Sequence, residues 1–257
     1  MLAGNAAFYL EQGYTATGAK EKEHITSMVK QPPAHIPAEI VQKKVKPLMR
    51  GWSHAATALA SIVLTVILCV LSRQDVPRMI SMLIFGLSMI ELYTVSAVYH
   101  IVTWNVAKRR LLRAIDHANI FVLIAGTYTP LCFNILTGWL RITILIVIWA
   151  LALVGIASSI FTLKLPRWAN AALYVAMGWV VVLAIPAFLA VLPWISVALL
   201  FLGGVLYTTG AVIYARKRPD PFPKIWGYHE VFHLFVILGS IAFATCVWVW
   251  ALPFPRV

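Results

Sequence analysis

The chain has 257 residues, of which 61% are hydrophobic and only 12% are charged, and its formal net charge is +12. Roughly a quarter of the residues in a soluble protein are charged, so this composition excludes that class and indicates an all-α protein that crosses a membrane several times. The Lys and Arg residues stand in short segments between apolar runs, which favours topology signals and contact with anionic lipid headgroups over a nucleic-acid partner. Cys69, Cys132 and Cys246 lie within apolar runs at unrelated spacings, which predicts packing residues rather than disulfides or a thiolate metal site.

Residues 1–50 are predicted to form a largely flexible basic tail on the cytoplasmic side. They contain four prolines between positions 32 and 47 and no sustained apolar period. A short interfacial helix is predicted from Ile36 to Leu48, where Pro47 ends it. Because the tail has no apolar core of the kind found in a secretory signal, the first spanning helix is expected to direct insertion.

Seven apolar runs follow, each near or above the roughly 20 residues that a helix needs to cross a bilayer. Short connections between them predict a bundle of seven transmembrane helices over residues 51–252, with sequential helices antiparallel, and a short external tail at 253–257. Pro130 and Pro186 lie within spans, where neighbouring helices can satisfy the carbonyl that a kink frees. The runs are Trp52 to Leu71, Met79 to Trp104, Leu112 to Leu136, Trp139 to Phe161, Ala169 to Val191, Trp194 to Tyr214 and Tyr228 to Ala251.

The distribution of basic residues predicts the orientation of the bundle. One side receives the tail and the second-to-third, fourth-to-fifth and sixth-to-seventh connections, which carry 17 Lys and Arg residues, whereas the other side carries four. By the positive-inside rule, the N-terminus is cytoplasmic and the C-terminus, after an odd number of spans, is outside. The expected location is the cell membrane, plasma or cytoplasmic.

Several ionisable side chains stand inside these spans, where an unpaired charge or ring nitrogen is costly and marks a candidate functional site. In the predicted orientation, all the histidines among them and the one aspartate fall at the cytoplasmic end of the bundle. They are His54 in the first span, His100 at the end of the second, Asp116 and His117 at the start of the third, and His229 and His233 at the start of the seventh.

His229 and His233 are four residues apart, so they lie on one helix face about one turn from each other. Ser96 and His100 have the same spacing in the second span. If the two helices meet, His100 becomes a third nitrogen ligand, and three imidazoles with a fourth position left to water form the open arrangement of catalytic zinc. The imidazole set favours zinc and leaves iron, manganese and copper open. Asp116 would then hold or deprotonate the water, and Ser96 would orient it.

Each of these residues also has a purely structural interpretation. The three histidines would be hydrogen-bonded across helices without a metal. Asp116 would be a carboxylate favoured at a helix N-terminus or paired with Arg113. Ser96 would bond back to a carbonyl of its own helix.

Three nearby residues are weaker candidates for a direct role. For His54 and His117, an interfacial histidine or a partner of a ligand is expected rather than a ligand. Glu230 faces about 100° away from its neighbour His229 on a helix, so a salt bridge to the basic inner loops is expected.

The order of these motifs resembles the progestin and adipoQ receptor family, and within it the bacterial-type hemolysin III branch. The resemblance covers about residues 50–250, and it implies that the matching histidines bind zinc near the cytoplasmic side, with Ser96 and Asp116 around the zinc-bound water. The segments that carry it are Ser96-x-x-x-His100, Asp116-His117 running into Ala125-Gly126-Thr127-Tyr128-Thr129-Pro130, and His229-Glu230-x-x-His233 through Leu238-Gly239-Ser240.

One residue departs from the pattern. Glu91 stands in mid-helix where an aliphatic residue is expected, and it points about 140° away from the Ser96 face. It is expected to pair with another helix or to line a cavity.

The resemblance also carries a functional expectation. The family belongs to a wider group of seven-helix membrane hydrolases that includes alkaline ceramidases, which implies a zinc site in a lipid-accessible cavity. Hydrolysis of a lipid amide is the expected activity, with membrane lipids as partners and a lipid substrate or ligand in the bundle. A lipid sensor with structural zinc, a membrane-perturbing hemolysin-like protein and a homo-oligomer stay open.

Overall fold

A computed structural model describes residues 47–161 and 166–255 of the protein. Most of the predicted tail, nearly all of the helix expected from Ile36 to Leu48 and the end of the C-terminal tail lie outside these ranges. The described residues are helical, with seven helices long and apolar enough to cross a membrane, which confirms the predicted bundle. Its orientation stays a prediction. The helices are α1 (Trp52–Leu71), α2 (Val76–Ile101), α3 (Val106–Ile135), α4 (Gly138–Ile160), α5 (Arg167–Val191), α6 (Trp194–Arg216) and α7 (Tyr228–Ala251).

A side-chain cap extends α3 beyond the apolar run that predicted it. The side chain of Asn105 accepts a hydrogen bond from the Lys108 N–H at 2.9 Å. The helix therefore begins at Val106 rather than at the predicted Leu112, because its basic first turns are helical although they are not apolar. Asp116 consequently lies well inside α3, and its interpretation as a helix N-terminal carboxylate is wrong.

The helix α5 changes its geometry at the middle of the span. Its central turns, Trp179–Ala184, form a 3-10 helix, and Pro186 stands in the first turn of the α-helix that follows. Pro186 has no N–H to donate, so the tighter turns stand where a regular helical hydrogen bond is missing. Tyr128 of α3 holds this segment, since its hydroxyl accepts from the Val181 N–H at 2.6 Å and donates to the Gly178 carbonyl at 2.7 Å.

Glycines bring neighbouring helices close together at two crossings. At Gly86 of α2, a Cβ atom would lie 2.2 Å from Oγ1 of Thr65 on α1. At Gly239 of α7, a Cβ atom would lie 2.3 Å from the ring of Tyr207 on α6. Only glycine permits such short distances between the helices, a common device in membrane bundles.

The bundle encloses α3 and exposes apolar side chains on its outside. In the most apolar stretch of α3, 83% of the residues are buried inside the protein. In contrast, Leu59 of α1 and Val154 of α4 are 68% and 69% exposed, which suits contact with lipid tails. Trp139 and Trp194 are exposed at helix ends, where aromatic rings favour the membrane interface. The cysteines are free thiols within the helices, as expected of packing residues: Cys69, Cys132 and Cys246.

Candidate metal centre

Three imidazole rings from two helices meet at one end of the bundle. His100 in the last turn of α2 and His229 and His233 in the first turns of α7 place ring nitrogens within 4.8 Å of one another. Nε2 of His229 lies 3.0 Å from Nε2 of His100, so α2 and α7 do meet. His233 is 1% exposed and His100 is 8% exposed, whereas His229 is half-buried, so protein surrounds most of the set.

The three nitrogens could hold a metal ion. Two nitrogens bound to one tetrahedral zinc ion at about 2.0–2.1 Å are about 3.4 Å apart, close to the 3.0 Å between the His100 and His229 nitrogens. The buried Nδ1 atom of His233 has no hydrogen-bond partner among the described residues, although buried polar atoms are rarely left unpaired. Imidazole is a ligand of zinc, copper, iron and nickel, so this set is a candidate site for any of these ions.

The structure brings Asp116 and Ser96 to the same place. Oδ2 of Asp116 is 4.0 Å from Nε2 of His100, and Ser96 lies within hydrogen-bonding reach of the Asp116 carboxylate. Arg113, the alternative partner of Asp116, forms no ion pair with it in the described part of the chain. A carboxylate and a hydroxyl so near three imidazoles can hold a water molecule or a polar group of a ligand.

His54 of α1 packs directly against this cluster. Its ring is stacked on the ring of His233, with centroids 3.6 Å apart and planes 12° apart, and it meets the ring of Tyr93 edge-on at 4.9 Å. Because His54 is only 3% exposed, its interpretation as an interfacial side chain is wrong, and it is a partner of a candidate ligand. The two ring contacts fix the orientation of His54 and, through the stack, that of His233.

Three hydroxyl groups join α2, α6 and α7 next to this stack. The Tyr93 hydroxyl donates to Oγ of Ser240 at 2.6 Å, and the Tyr207 hydroxyl lies 2.7 Å from the same atom. Tyr93 thereby connects the helix of His100 to the helix of His233. Ser240 belongs to a motif of α7, but its two partners stand on other helices and no local pattern reveals them.

A polar edge of the site is formed by residues of α3, α5, α6 and α7. Nε2 of His117 lies 3.1 Å from the hydroxyl of Tyr214, whose ring centroid is 6.1 Å from that of His229. The guanidinium of Arg167 lies over the Tyr214 ring at 5.8 Å, and its Nη1 is 3.5 Å from the Tyr228 hydroxyl. His117 is therefore bound to this edge. No motif in the sequence contains Tyr214, which stands on α6, or Arg167, which stands on α5.

Glu230 forms a salt bridge, as expected, but its partner is Arg50, which precedes α1, rather than a residue of the basic loops. Nε of Arg50 donates to Oε1 of Glu230 at 2.6 Å, across 180 positions of sequence. Oε2 of Glu230 accepts from the Gly227 N–H at 2.8 Å and so caps α7. In the sequence Arg50 is one of the basic residues that predict topology, and no local pattern reveals so distant a partner.

Glu91 lies apart from the histidines and pairs with another helix, as expected. Its side chain is exposed on the outer face of α2. Its partner is the buried side-chain amide of Asn119 on α3, in the orientation that turns the amide nitrogen toward Glu91. This nitrogen donates to Oε1 of Glu91 at 3.3 Å and to the Ile115 carbonyl at 3.3 Å.

The chain is similar over most of its length to proteins of one family. The profile of the Haemolysin-III related family matches residues 42–244. The Hemolysin-3 homolog of Bacillus subtilis (strain 168) is 41% identical over 168 residues, which are 65% of this chain and 76% of that protein. Hemolysin-3 of Bacillus cereus is 33% identical over 203 residues, or 78% and 90%. The human Monocyte to macrophage differentiation factor is 26% identical over 204 residues, or 77% and 81%.

The matched range contains the whole candidate centre, because it begins before α1 and ends within α7. The resemblance inferred from the motifs is thereby confirmed at the level of the family. The match also agrees with the seven apolar helices, which place the protein in a membrane. This chain therefore belongs to the Haemolysin-III related family and is a multi-pass integral membrane protein.

Proposed function

We propose that this protein is an intramembrane zinc-dependent hydrolase that cleaves an amide bond of a lipid. The observation that carries the proposal is the set of three imidazole nitrogens within 4.8 Å of one another, with a carboxylate oxygen 4.0 Å from one of them. Structural zinc sites fill four positions with protein ligands and commonly use thiolates, whereas catalytic sites use three ligands and keep one position open. Three imidazoles without a thiolate would form a site of the second kind.

The ligand roles follow from the donor atoms. His100, His229 and His233 would hold the ion, and zinc suits them because it favours imidazole and needs no redox chemistry. When bound, zinc polarises a substrate carbonyl and makes water a nucleophile at neutral pH.

Asp116 would move the proton in this reaction. Its Oδ2 atom would accept a proton from the attacking water and return it to the nitrogen of the leaving amine, so that a fatty acid and an amine are released. A positioned acid–base group of this kind contributes about 10²–10⁴-fold to the rate. Ser96, within reach of the same carboxylate, would keep it oriented.

The polar edge beside the histidines would bind the polar part of the lipid. A guanidinium recognises carboxylate and phosphate oxygens through charge-assisted hydrogen bonds, and Arg167 stands here between the Tyr214 ring and the Tyr228 hydroxyl. Exposed apolar faces on the surrounding helices suit contact with acyl chains. The choice of an amide follows the resemblance to the group that includes alkaline ceramidases.

The test is to incubate the purified, zinc-loaded protein with ceramides and other lipid amides and to measure released fatty acid by mass spectrometry. The parent is expected to release fatty acid, and Asp116→Asn is expected to keep its zinc and to release fatty acid about 10²–10⁴-fold more slowly. Specific lipid binding without any product over a long incubation would instead identify a lipid sensor. Loss of zinc with unaltered release would contradict the proposal.

The name Hemolysin-3 carried by a relative favours one second candidate, a membrane-perturbing activity. Dye leakage from liposomes separates it from hydrolysis when the parent is compared with His233→Ala. Equal leakage from parent and zinc-free variant would support membrane perturbation. The absence of leakage at any protein dose would dispose of it.

A further inference from the structure

We propose that the ion pair between Arg50 and Glu230 is a positioning device for the histidine cluster. Through it, the short segment Leu48–Gly51 clamps the end of α2 to the beginning of α7 and sets the distance between His100 and the two histidines of α7. The inference rests on the metal centre proposed above, but it does not depend on hydrolysis or on the identity of the lipid.

The segment is bound to α7 and its preceding loop at several points. Nε and Nη2 of Arg50 donate to the two carboxylate oxygens of Glu230 at 2.6 and 3.4 Å. The Leu48 N–H donates to the Lys224 carbonyl at 3.1 Å, and the next N–H along the chain donates to the Ile225 carbonyl at 3.2 Å. The side chain of Glu230 is 1% exposed and that of Arg50 is 23% exposed, so water screens this pair far less than a surface pair.

The same segment touches α2 next to a ligand. Gly51 has φ of +88°, a conformation that glycine adopts readily and other residues avoid. A Cβ atom at Gly51 would lie 2.9 Å from Cγ1 of Ile101 and 3.0 Å from Cβ of His100. The backbone before α1 therefore lies against the residue that carries the third candidate ligand.

These contacts matter because α2 and α7 pack mainly against other helices and not against each other. Most of the packing of α7 is with α6, and most of the packing of α2 is with α1 and α3. Glu230 directly follows His229, and its second oxygen caps the first turn of α7. If Arg50 is removed, a buried carboxylate is left without its counter-ion, which is strongly unfavourable, and the turn that carries His229 must move to reach water.

The same reasoning identifies a variant that separates positioning from general damage. In Arg50→Met, the buried carboxyl group of Glu230 loses its guanidinium partner, whereas in Arg50→Met/Glu230→Gln no carboxyl group is left there and the amide oxygen can still accept from the Gly227 N–H. The double variant should therefore hold metal better than Arg50→Met alone, because the two substitutions act on one interaction. If the two substitutions only added their separate losses of stability, the double variant would hold metal less well than Arg50→Met.

Arg78→Met is the matched control. Arg78 also ties α2 to the other helix, since it donates to the Leu252 and Phe254 carbonyls just beyond α7, but it does so at the end remote from the histidines. Its loss should lower the thermal midpoint without changing metal retention. The full-length protein in detergent is used throughout.

The first readout is the rate at which bound zinc passes to a chelator. Arg50→Met is expected to lose zinc about tenfold to a hundredfold faster than the parent, as for other partners of metal ligands, with partial recovery in the double variant. A rate equal to that of the parent, an equal acceleration in Arg78→Met, or faster loss in the double variant than in Arg50→Met would overturn the proposal.

The second readout needs no metal, so it also decides the question if the parent binds none and the proposed function fails. Spin labels are placed at the exposed positions Val98 of α2 and Leu234 of α7, after the native cysteines are replaced. The distance distribution between the labels is expected to broaden or shift in Arg50→Met and to stay narrow in Arg78→Met. Distributions that are the same in both variants would contradict a positioning role.

Discussion

The two ends of the bundle hold α2 and α7 together in different ways. At the histidine end, side chain meets side chain, as in the 3.0 Å contact between the ring nitrogens of His100 and His229. At the opposite end, the guanidinium of Arg78 donates to the backbone carbonyls of Leu252 and Phe254. Both ends bury polar atoms inside an apolar bundle.

The difference lies in the kind of partner. The guanidinium of Arg78 carries only hydrogen-bond donors, and the carbonyl oxygens around it are acceptors. These hydrogen bonds are sufficient to explain Arg78 as a structural anchor. Each neutral imidazole has one N–H donor, so two rings that face each other can form only one N–H···N hydrogen bond. In addition, His233 has a buried nitrogen without a partner among the described residues. A cation held by three ring nitrogens satisfies such a set. Burial of polar groups alone therefore does not separate a structural anchor from a candidate metal site, whereas the mutual geometry of the possible ligands does.

The largest effect is expected when one candidate ligand on either helix is removed. His100→Ala and His233→Ala should each reduce bound zinc from close to one ion per chain to nearly none, because a site with two imidazoles binds weakly. Elemental analysis of purified protein measures this. His117→Ala is the control, since His117 is bonded to Tyr214 on the polar edge, and it should keep its zinc. Zinc retained in either ligand variant would contradict the site.

A second large effect is expected on turnover alone. Asp116→Asn should lower the rate of lipid-amide hydrolysis by about 10²–10⁴-fold while zinc stays bound, because Asp116 lies 4.0 Å from a ligand nitrogen without being one of the three. Asp75→Asn, at the opposite end of α2, should change neither rate nor zinc. Equal rates for Asp116→Asn and the parent would remove Asp116 from the mechanism.

A smaller effect is expected on stability at the crossing of α6 and α7. Gly239→Ala places a Cβ atom 2.3 Å from the Tyr207 ring, and relieving that overlap should cost about 1–3 kcal/mol. Gly178→Ala meets nothing within 4 Å and should leave the unfolding free energy nearly unchanged. Denaturation in detergent compares the two, and equal stabilities would show that the crossing tolerates extra volume.

The smallest effect is expected at the anchor end. Asp75→Ala removes the acceptor of the Arg78 N–H at the start of α2 and an ion pair with Arg78 at 3.3 Å. Loss of such a cap should cost about 1 kcal/mol and should leave zinc content unchanged. Zinc loss in this variant would show that the two ends are coupled and would weaken the distinction between anchor and site.

Much of the fold follows from composition and spacing. Runs of about 20 apolar residues predict spanning helices because a bilayer demands that length, and the seven predicted spans correspond to α1 through α7. The start of α3 was missed because Val106 opens a basic helical segment that no apolar run reveals. Pro186 was identified as a position where a kink is tolerated, but the 3-10 turns of Trp179–Ala184 and their contacts with Tyr128 depend on a neighbouring helix.

The candidate site was predictable where residues share a helix and was hidden where they do not. Four-residue spacing places His229 and His233 on one face, and shared depth together with the motif order brings in His100. The stack of His54 on His233 and the pairing of Arg50 with Glu230 join distant parts of the chain. Residue spacing along the sequence does not predict contacts between distant segments, so only the folded bundle shows them.

The most direct test of the central claim is X-ray absorption spectroscopy at the zinc edge on the purified, zinc-loaded parent. If α2 and α7 share one metal, the spectrum should show about three imidazole nitrogens at about 2.0–2.1 Å, and no sulfur. The same spectrum recorded for His100→Ala should lose that signal. A well-folded parent that cannot be loaded with metal, or a spectrum without imidazole ligands, would contradict the account and leave the cluster as a hydrogen-bond network.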